Sequence, residues 1–328
     1  MTALSAAVET PIFVVGAERS GSTMLWLMLD HHPEIAMAGQ MEYAVQPDLS
    51  QGWPDPDEYH QMISRDLMFE TSGFDADMAL PYPELMHSFL QQRLDVDTKR
   101  YVGAVVHIGF AQLPLIWPEA RYIHLVRDGR DVANSAVRLG WVGHPYYGAD
   151  IWIEAEHEWD ALSATLESDK KHEVRFEELV REPERLLAEL CDFVGVSFDP
   201  AMFDYAESTD YDLPQSSLAE QWRHMESSKT LQQVETKLAP MLRARGYVPS
   251  VEGTPSLSRL EDLWLPWANR WGKVSDRVRR FGPLLTAREL ATRAPGLSRQ
   301  NVKAQDQMRE IIKADRKRHW SEDAEILR

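Results

Sequence analysis

Residues 12 to 23 read Ile-Phe-Val-Val-Gly-Ala-Glu-Arg-Ser-Gly-Ser-Thr: four apolar strand formers, a loop bracketed by Gly16 and Gly21, then hydroxyl residues at the head of an apolar stretch. That succession predicts a β-strand turning through a glycine loop into a helix, the βα unit of α/β sheets. The backbone N–H groups of such a loop point into a concavity, and a helix N-terminus adds its dipole, so the unit attracts phosphate. A nucleotide-triphosphate P-loop has the form G-x-x-x-x-G-K-[ST], with its lysine on the terminal phosphates. Here the glycines keep that spacing, but Ser22 holds the place of the lysine and the loop's cation is Arg19. The pattern predicts an anion seated on a helix beginning near Ser22, with its charged contact coming from another direction, and argues against an ordinary ATPase.

A second unit of the same kind follows. Tyr122-Ile-His-Leu-Val126 predicts a strand, Arg127-Asp-Gly-Arg-Asp131 a charged turn, and Val132 onward a helix whose N-terminus the aspartates favour. Arg127 then stands at the carboxyl end of a strand and Ser135 in the first turns of the next helix. Ligands of open α/β sheets bind outside the carboxyl ends of strands, so both units can face one ligand with anionic groups at two places. The expected fold class is α/β: three layers, a central parallel sheet, a P-loop-like loop and a helical C-terminal extension.

These residues resemble the sulfotransferases that use 3′-phosphoadenosine 5′-phosphosulfate (PAPS). Gly16-Ala-Glu-Arg-Ser-Gly-Ser-Thr23 is similar to the family's 5′-phosphosulfate loop. Arg127-Asp-Gly-Arg-Asp-Val-Ala-Asn-Ser135 is similar to its 3′-phosphate motif, including the step from Arg to Ser. Val174-Arg-Phe-Glu-Glu-Leu-Val180, Pro183-Glu-Arg-Leu-Leu187, Gln221-Trp-Arg223 and Arg245-Gly-Tyr247 extend the likeness over residues 11 to 248. The resemblance implies that Arg19 neutralises charge on the phosphosulfate bridge. It implies that Ser20, Gly21, Ser22 and Thr23 donate to the 5′-phosphate, and that Arg127 and Ser135 hold the 3′-phosphate. A guanidinium binds phosphate as a bidentate fork, which a lysine cannot reproduce.

Two positions compete for the catalytic base. His107, in Val105-Val-His-Ile108, stands where cytosolic sulfotransferases have the histidine of a Lys-Thr-His segment, although Val105 replaces that lysine. Its imidazole, with an ordinary pKa near 6.5, suits removal of a hydroxyl proton. Glu42, in Gly39-Gln-Met-Glu-Tyr43, lies where tyrosyl-protein and some bacterial relatives place a catalytic glutamate, though a gap-free match falls on Gln40. His107 is the first candidate and Glu42 the second. The implied reaction is in-line transfer of a sulfuryl group from PAPS to a hydroxyl or amine acceptor, small or carrier-bound, through a loose transition state and without a metal. The alternatives are a small-molecule kinase of P-loop type and a nucleotide-binding scaffold without catalysis.

A chain of 328 residues predicts one main domain, 1–250, and an appendage, 251–328, joined by the Pro/Ser/Gly-rich segment 248–256. The sole cysteine, Cys191, on the apolar face of a helix expected over 183–195, excludes an intrachain disulfide. With no basic, apolar leader and no membrane span, it points to the cytoplasm. Net charge is −17, yet Arg270 to His319 holds fourteen Lys/Arg against five Asp/Glu. The acidic remainder makes nucleic acid an unlikely partner for the catalytic part. In the tail Trp264, Trp267 and Trp271 recur at helical spacing, and a further helix is expected over 299–320. The tryptophan face is expected to pack on the acidic core or on a second copy, which leaves a homodimer open. An acceptor lid, a dock for a partner protein or a membrane-surface segment are the other readings. Residues 40–100 predict irregular helices and loops, with Met41, Tyr43, Trp53, Met62, Met68, Phe69 and Phe74 as candidate acceptor lining.

Overall fold

The computed structural model describes residues 6–97, 99–225, 227–250, 256–292, 303–308 and 310–311. In chain order its main elements are β1 (Ile12–Val15), α1 (Ser22–Asp30), β2 (Ile35–Gln40), α2 (Tyr82–Asp97), β3 (Tyr101–Val106), β4 (Arg121–Val126), α3 (Gly129–Arg138) and α4 (Pro145–Ser163). There follow β5 (Lys171–Arg175), α5 (Phe176–Arg181), α6 (Pro183–Val194), α7 (Ser228–Ala244), α8 (Arg259–Phe281) and α9 (Pro283–Ala291). The chain groups into two compact units. The first takes the chain to Asp128 with Trp152–Glu207 and Tyr211–Gln221; the second takes Gly129–Ile151, Ser208–Asp210 and the chain from Trp222 on. The composition-based cut at residue 250 is a different division.

The first unit is α/β, as expected. Its five strands lie in the order β2-β3-β1-β4-β5, every neighbouring pair parallel. The strands are near-continuous apolar runs because both faces are covered. Phe13 and Val15 join Val102, Ala104, Val106 and α2 in one core, while Ile12 and Val14 join Ile123, Leu125, α1 and α6 in the other. From β1 the chain turns through α1 to β2 on one side, and from β4 it goes to β5 on the other. The β1/β4 boundary is therefore the switch point at which such sheets open a crevice. The helix predicted over 183–195 is α6, with Pro183 in its first turn and Gly195 capping it at φ 89°.

Three expectations are corrected. Residues 40–100 are more regular than their pattern suggested: Asp55 and Asp66 cap helices Pro56–Ile63 and Leu67–Ser72, and α2 runs sixteen residues. Met41 and Tyr43 are core rather than acceptor lining, the Tyr43 ring meeting Phe69 and Phe89 edge-on at 5.3 and 5.9 Å. The helix after β4 begins at Gly129, not near Val132, because Arg130 and Asp131 are buried helical residues instead of solvated turn charges. Arg130 Nη1 donates to Glu235 Oε1 at 2.7 Å and lies 3.5 Å over the Trp222 ring, and Asp131 Oδ1 accepts from Trp222 N at 2.6 Å.

In the second unit α8 rests on the segment before α4. The Gly272 and Gly143 backbones touch, Gly143 N donates to Asn269 Oδ1 at 2.6 Å, and Leu265 is buried. Trp264, Trp267 and Trp271 lie 55 %, 61 % and 72 % exposed within the chain rather than packed on an acidic core. Most of the expected linker and of the helix over 299–320 falls outside the described residues, of which 303–308 are helical.

Candidate active site

The site is assembled from the carboxyl ends of four adjacent strands. Across the sheet edge, β2 leads to Glu42, β3 to His107, β1 to the glycine loop and β4 to Arg127. Parallel strands in this order deliver the four segments side by side, although Arg19 and Arg127 are 108 residues apart in the chain.

The loop takes a conformation that its sequence alone permits. Gly16 has φ 135°, and a Cβ there would stand 2.5 Å from the carbonyl oxygen of Leu125 on β4. Gly21 has φ 94°, caps α1, and faces the Phe176 ring so closely that a Cβ would overlap it. Between them Arg19 is left-handed at φ 72°, a conformation a non-glycine residue holds only when its surroundings impose it. Its carbonyl accepts from Arg127 Nη1 at 3.2 Å. Arg127 also donates through Nη2 to Leu218 O at 3.1 Å and lies 4.3 Å over the Phe176 ring. The Ser20 hydroxyl, 1 % exposed, has no hydrogen-bond partner. An orphaned buried donor is costly unless an acceptor arrives. Beside the N–H groups that open α1, it fits a loop that closes on an anionic oxygen.

His107 and Glu42, competitors in the sequence, are partners in the structure. Glu42 Oε1 lies 2.6 Å from His107 Nδ1 and accepts from the His107 backbone N–H at 3.3 Å. Met41 N donates to Val105 O at 2.9 Å, extending the β2–β3 pairing by one step and carrying Glu42 to the histidine. On the other ring nitrogen, Nε2 lies 2.8 Å from Ser22 Oγ. A carboxylate only accepts, so the hydrogen-bond pattern assigns the proton to Nδ1 and leaves the Nε2 lone pair facing the Ser22 hydroxyl. The result is a largely buried chain, Glu42 to His107 to Ser22, that ends at the glycine loop.

Glu18 is the residue the sequence reading passed over. Half-buried in the loop, it lies within electrostatic reach of His107, Glu42 and Arg19; burial raises its carboxyl above the ordinary range, with His107 pulling it back. Its signal was its place beside Arg19 between the two glycines. Below the loop, His124 stacks on Trp159 at 4.3 Å, with Glu156 and Glu173 carboxylates each 3.5 Å from its ring nitrogens. Thr23 is the second residue of α1, and Ser135 lies in α3 of the second unit.

A family profile described as "Sulfotransferase family" matches residues 11–200. An uncharacterised protein of Aquifex aeolicus is 25 % identical over 216 residues, 60 % of this chain and 27 % of that protein. Protein-tyrosine sulfotransferase 1 of Danio rerio is 24 % identical over 214 residues, 60 % of this chain and 56 % of that protein. The chain thus spans about half or less of the curated relatives it matches. The sulfotransferase domain of the curacin biosynthetic pathway superposes with a TM-score of 0.49 at 20 % identity, covering 73 % of this chain and 98 % of that one.

Proposed function

The chain belongs to the sulfotransferase family, and from that premise we propose that it transfers a sulfuryl group from PAPS to a hydroxyl or amine acceptor. The Glu42–His107–Ser22 chain, which sets a histidine against the donor loop, carries this reading. The loop from Gly16 to Thr23 would hold the 5′-phosphosulfate, its helix N-terminus and the Ser20 hydroxyl taking the anionic oxygens. Arg19 would meet the charge that develops on the bridging oxygen. Arg127 would hold the 3′-phosphate together with Ser135, a pairing supported by their spacing in the sequence. The acceptor oxygen attacks sulfur, the sulfur–oxygen bond to the 5′-phosphate breaks, and the acceptor proton passes to His107 Nε2. When a donor phosphate oxygen draws the Ser22 hydroxyl, Nε2 is released for the acceptor. Glu42 orients the imidazole and stabilises it once protonated, the role of the carboxylate in any such triad.

A kinase reading lacks a lysine in the loop, and a scaffold reading leaves the three-residue chain without a use. We retain residues 251–328 as an extension of the catalytic domain. No helix among the described residues is long and apolar enough to cross a membrane. The cytoplasm is the compartment we assign, supported by the lone cysteine.

A thermal-shift titration with 3′-phosphoadenosine 5′-phosphate, beside ADP and AMP, tests the donor, since a ligand of the folded state stabilises by mass action. Stabilisation that needs the 3′-phosphate and vanishes in Arg127→Ala is the expected result. Equal stabilisation by ADP, or none by any nucleotide, overturns the reading.

A further inference from the structure

Helix α8 carries its exposed apolar residues on one line. At 100° per residue Leu260, Leu263, Trp264, Trp267, Trp271, Val274 and Val278 fall within about a 100° arc of the helix surface, a stripe some 27 Å long at 1.5 Å per residue. Leu260, Leu263 and the three tryptophans are 55–79 % exposed. The opposite face is the one that packs: Leu265 is buried, Asn269 binds Gly143, Gly272 abuts Gly143, and Asp276 faces Gly140. Trp267 and Trp271 therefore lie exposed on the far side of the helix from that packed face, while Trp264 at its edge meets His144 edge-on at 5.9 Å. Arg259, Arg270 and Arg277 lie along one flank, with the Arg270 guanidinium 5.9 Å over the Trp267 ring and Arg277 held to the buried Glu289 carboxylate at 3.3 Å. The carboxylate on the other flank, Glu261, is tied down in the Ser258 capping box and to Gln233.

We propose that this stripe is an interfacial anchor for an anionic lipid surface. A large apolar face with tryptophans, edged by arginines and lying on a helix too polar to insert, is the arrangement that lies in the plane of a headgroup layer. Indoles favour that layer because their N–H stays wet while the ring is buried, and arginine stems can lie along the apolar face with the charge in water. A second copy fits less well. In a two-fold antiparallel pairing of the stripes the same flank meets itself, setting three arginines against three arginines. A pocket lined by Ser227, Lys229, Thr230, Gln233, Leu260 and Trp264 lies at one end of the stripe, so it could seat a partner's side chain beside Leu260 and Trp264 but not beside Trp267 or Trp271.

Flotation of the full chain with vesicles of phosphatidylcholine alone, and with one third phosphatidylglycerol, tests the proposal. Expected is recovery with the anionic vesicles, falling about tenfold or more in Trp264→Ser/Trp267→Ser/Trp271→Ser and, separately, in Arg259→Gln/Arg270→Gln. Circular dichroism melts of the arginine variant should match the parent and those of the tryptophan variant should stay cooperative, since Trp267 and Trp271 lie exposed and Trp264 meets His144 edge-on at 5.9 Å. Absence of flotation with either vesicle, or flotation unchanged in the tryptophan variant, overturns it. So does a dimer in sedimentation that the tryptophan variant abolishes without any vesicle binding. The readout is independent of nucleotide binding and of sulfuryl transfer.

Discussion

At the residue scale the two candidate bases prove to be one device. His107 touches the loop and Glu42 does not, so on the proposed function proton abstraction would fall to the imidazole and orientation to the carboxylate. His107→Ala should lower kcat/KM for transfer about 10²–10⁴-fold, and Glu42→Gln about ten- to a hundredfold, as for a supporting partner. Reversal of that order would make Glu42 the base. Glu18 offers a separate check. Its raised carboxyl means that the folded state disfavours the ionised form, so its contribution to stability declines as pH rises above the ordinary carboxylate value. Glu18→Gln should melt above the parent at pH 7, and the gain should vanish below about pH 4, within the ordinary carboxylate range. A gain independent of pH would show that charge is not the cause. Of this site the sequence made both loops, Arg19, Arg127, His107 and Glu42 legible. It could not make the His107–Glu42 contact legible, because sixty-five residues separate them and only β2–β3 pairing joins their ends.

At the scale of elements, the donor loop is shaped by what presses on it. Both glycines have positive φ, but their neighbours differ: Gly16 faces a backbone carbonyl of β4, and Gly21 a phenylalanine ring. A ring can shift, whereas the Leu125 carbonyl cannot leave without disturbing the sheet. Gly16→Ala should therefore destabilise by more than about 3 kcal/mol and Gly21→Ala by less, read from urea midpoints. A Gly21→Ala variant as unstable as Gly16→Ala would place the strain in the backbone of the helix cap instead. β1, β4, α1 and α6 were legible from apolar runs, a proline start and a glycine stop, whereas β2 had no such signal. The start of α3 was not, because Arg-Asp-Gly-Arg-Asp looks like a solvated turn until Glu235 and Trp222 bury its charges.

For the whole molecule, charge works locally. A net of −17 is compatible with the proposed anion site, since Arg19, Arg127 and the α1 terminus would act at short range while distant carboxylates are screened. In the second unit one buried ion pair joins segments 105 residues apart: Glu235 accepts from Arg130 and from Ser250 N and Oγ. Glu235→Ala removes the carboxylate that faces the buried Arg130 guanidinium and the acceptor of Ser250, and should cost about 3–5 kcal/mol of unfolding free energy by chemical denaturation. A loss below 1 kcal/mol would mean that water reaches the arginine. The sequence by itself determined the α/β class, the phosphate-seeking loop and the family, because these rest on local patterns of apolar runs, glycine spacing and helix ends. Tertiary structure alone decided that Glu42 serves His107, that Ser22 closes the chain, and that the tryptophans of α8 face outward. Each of those depends on which segment lies beside which, and no periodicity along one chain encodes the partner on the other side of a contact.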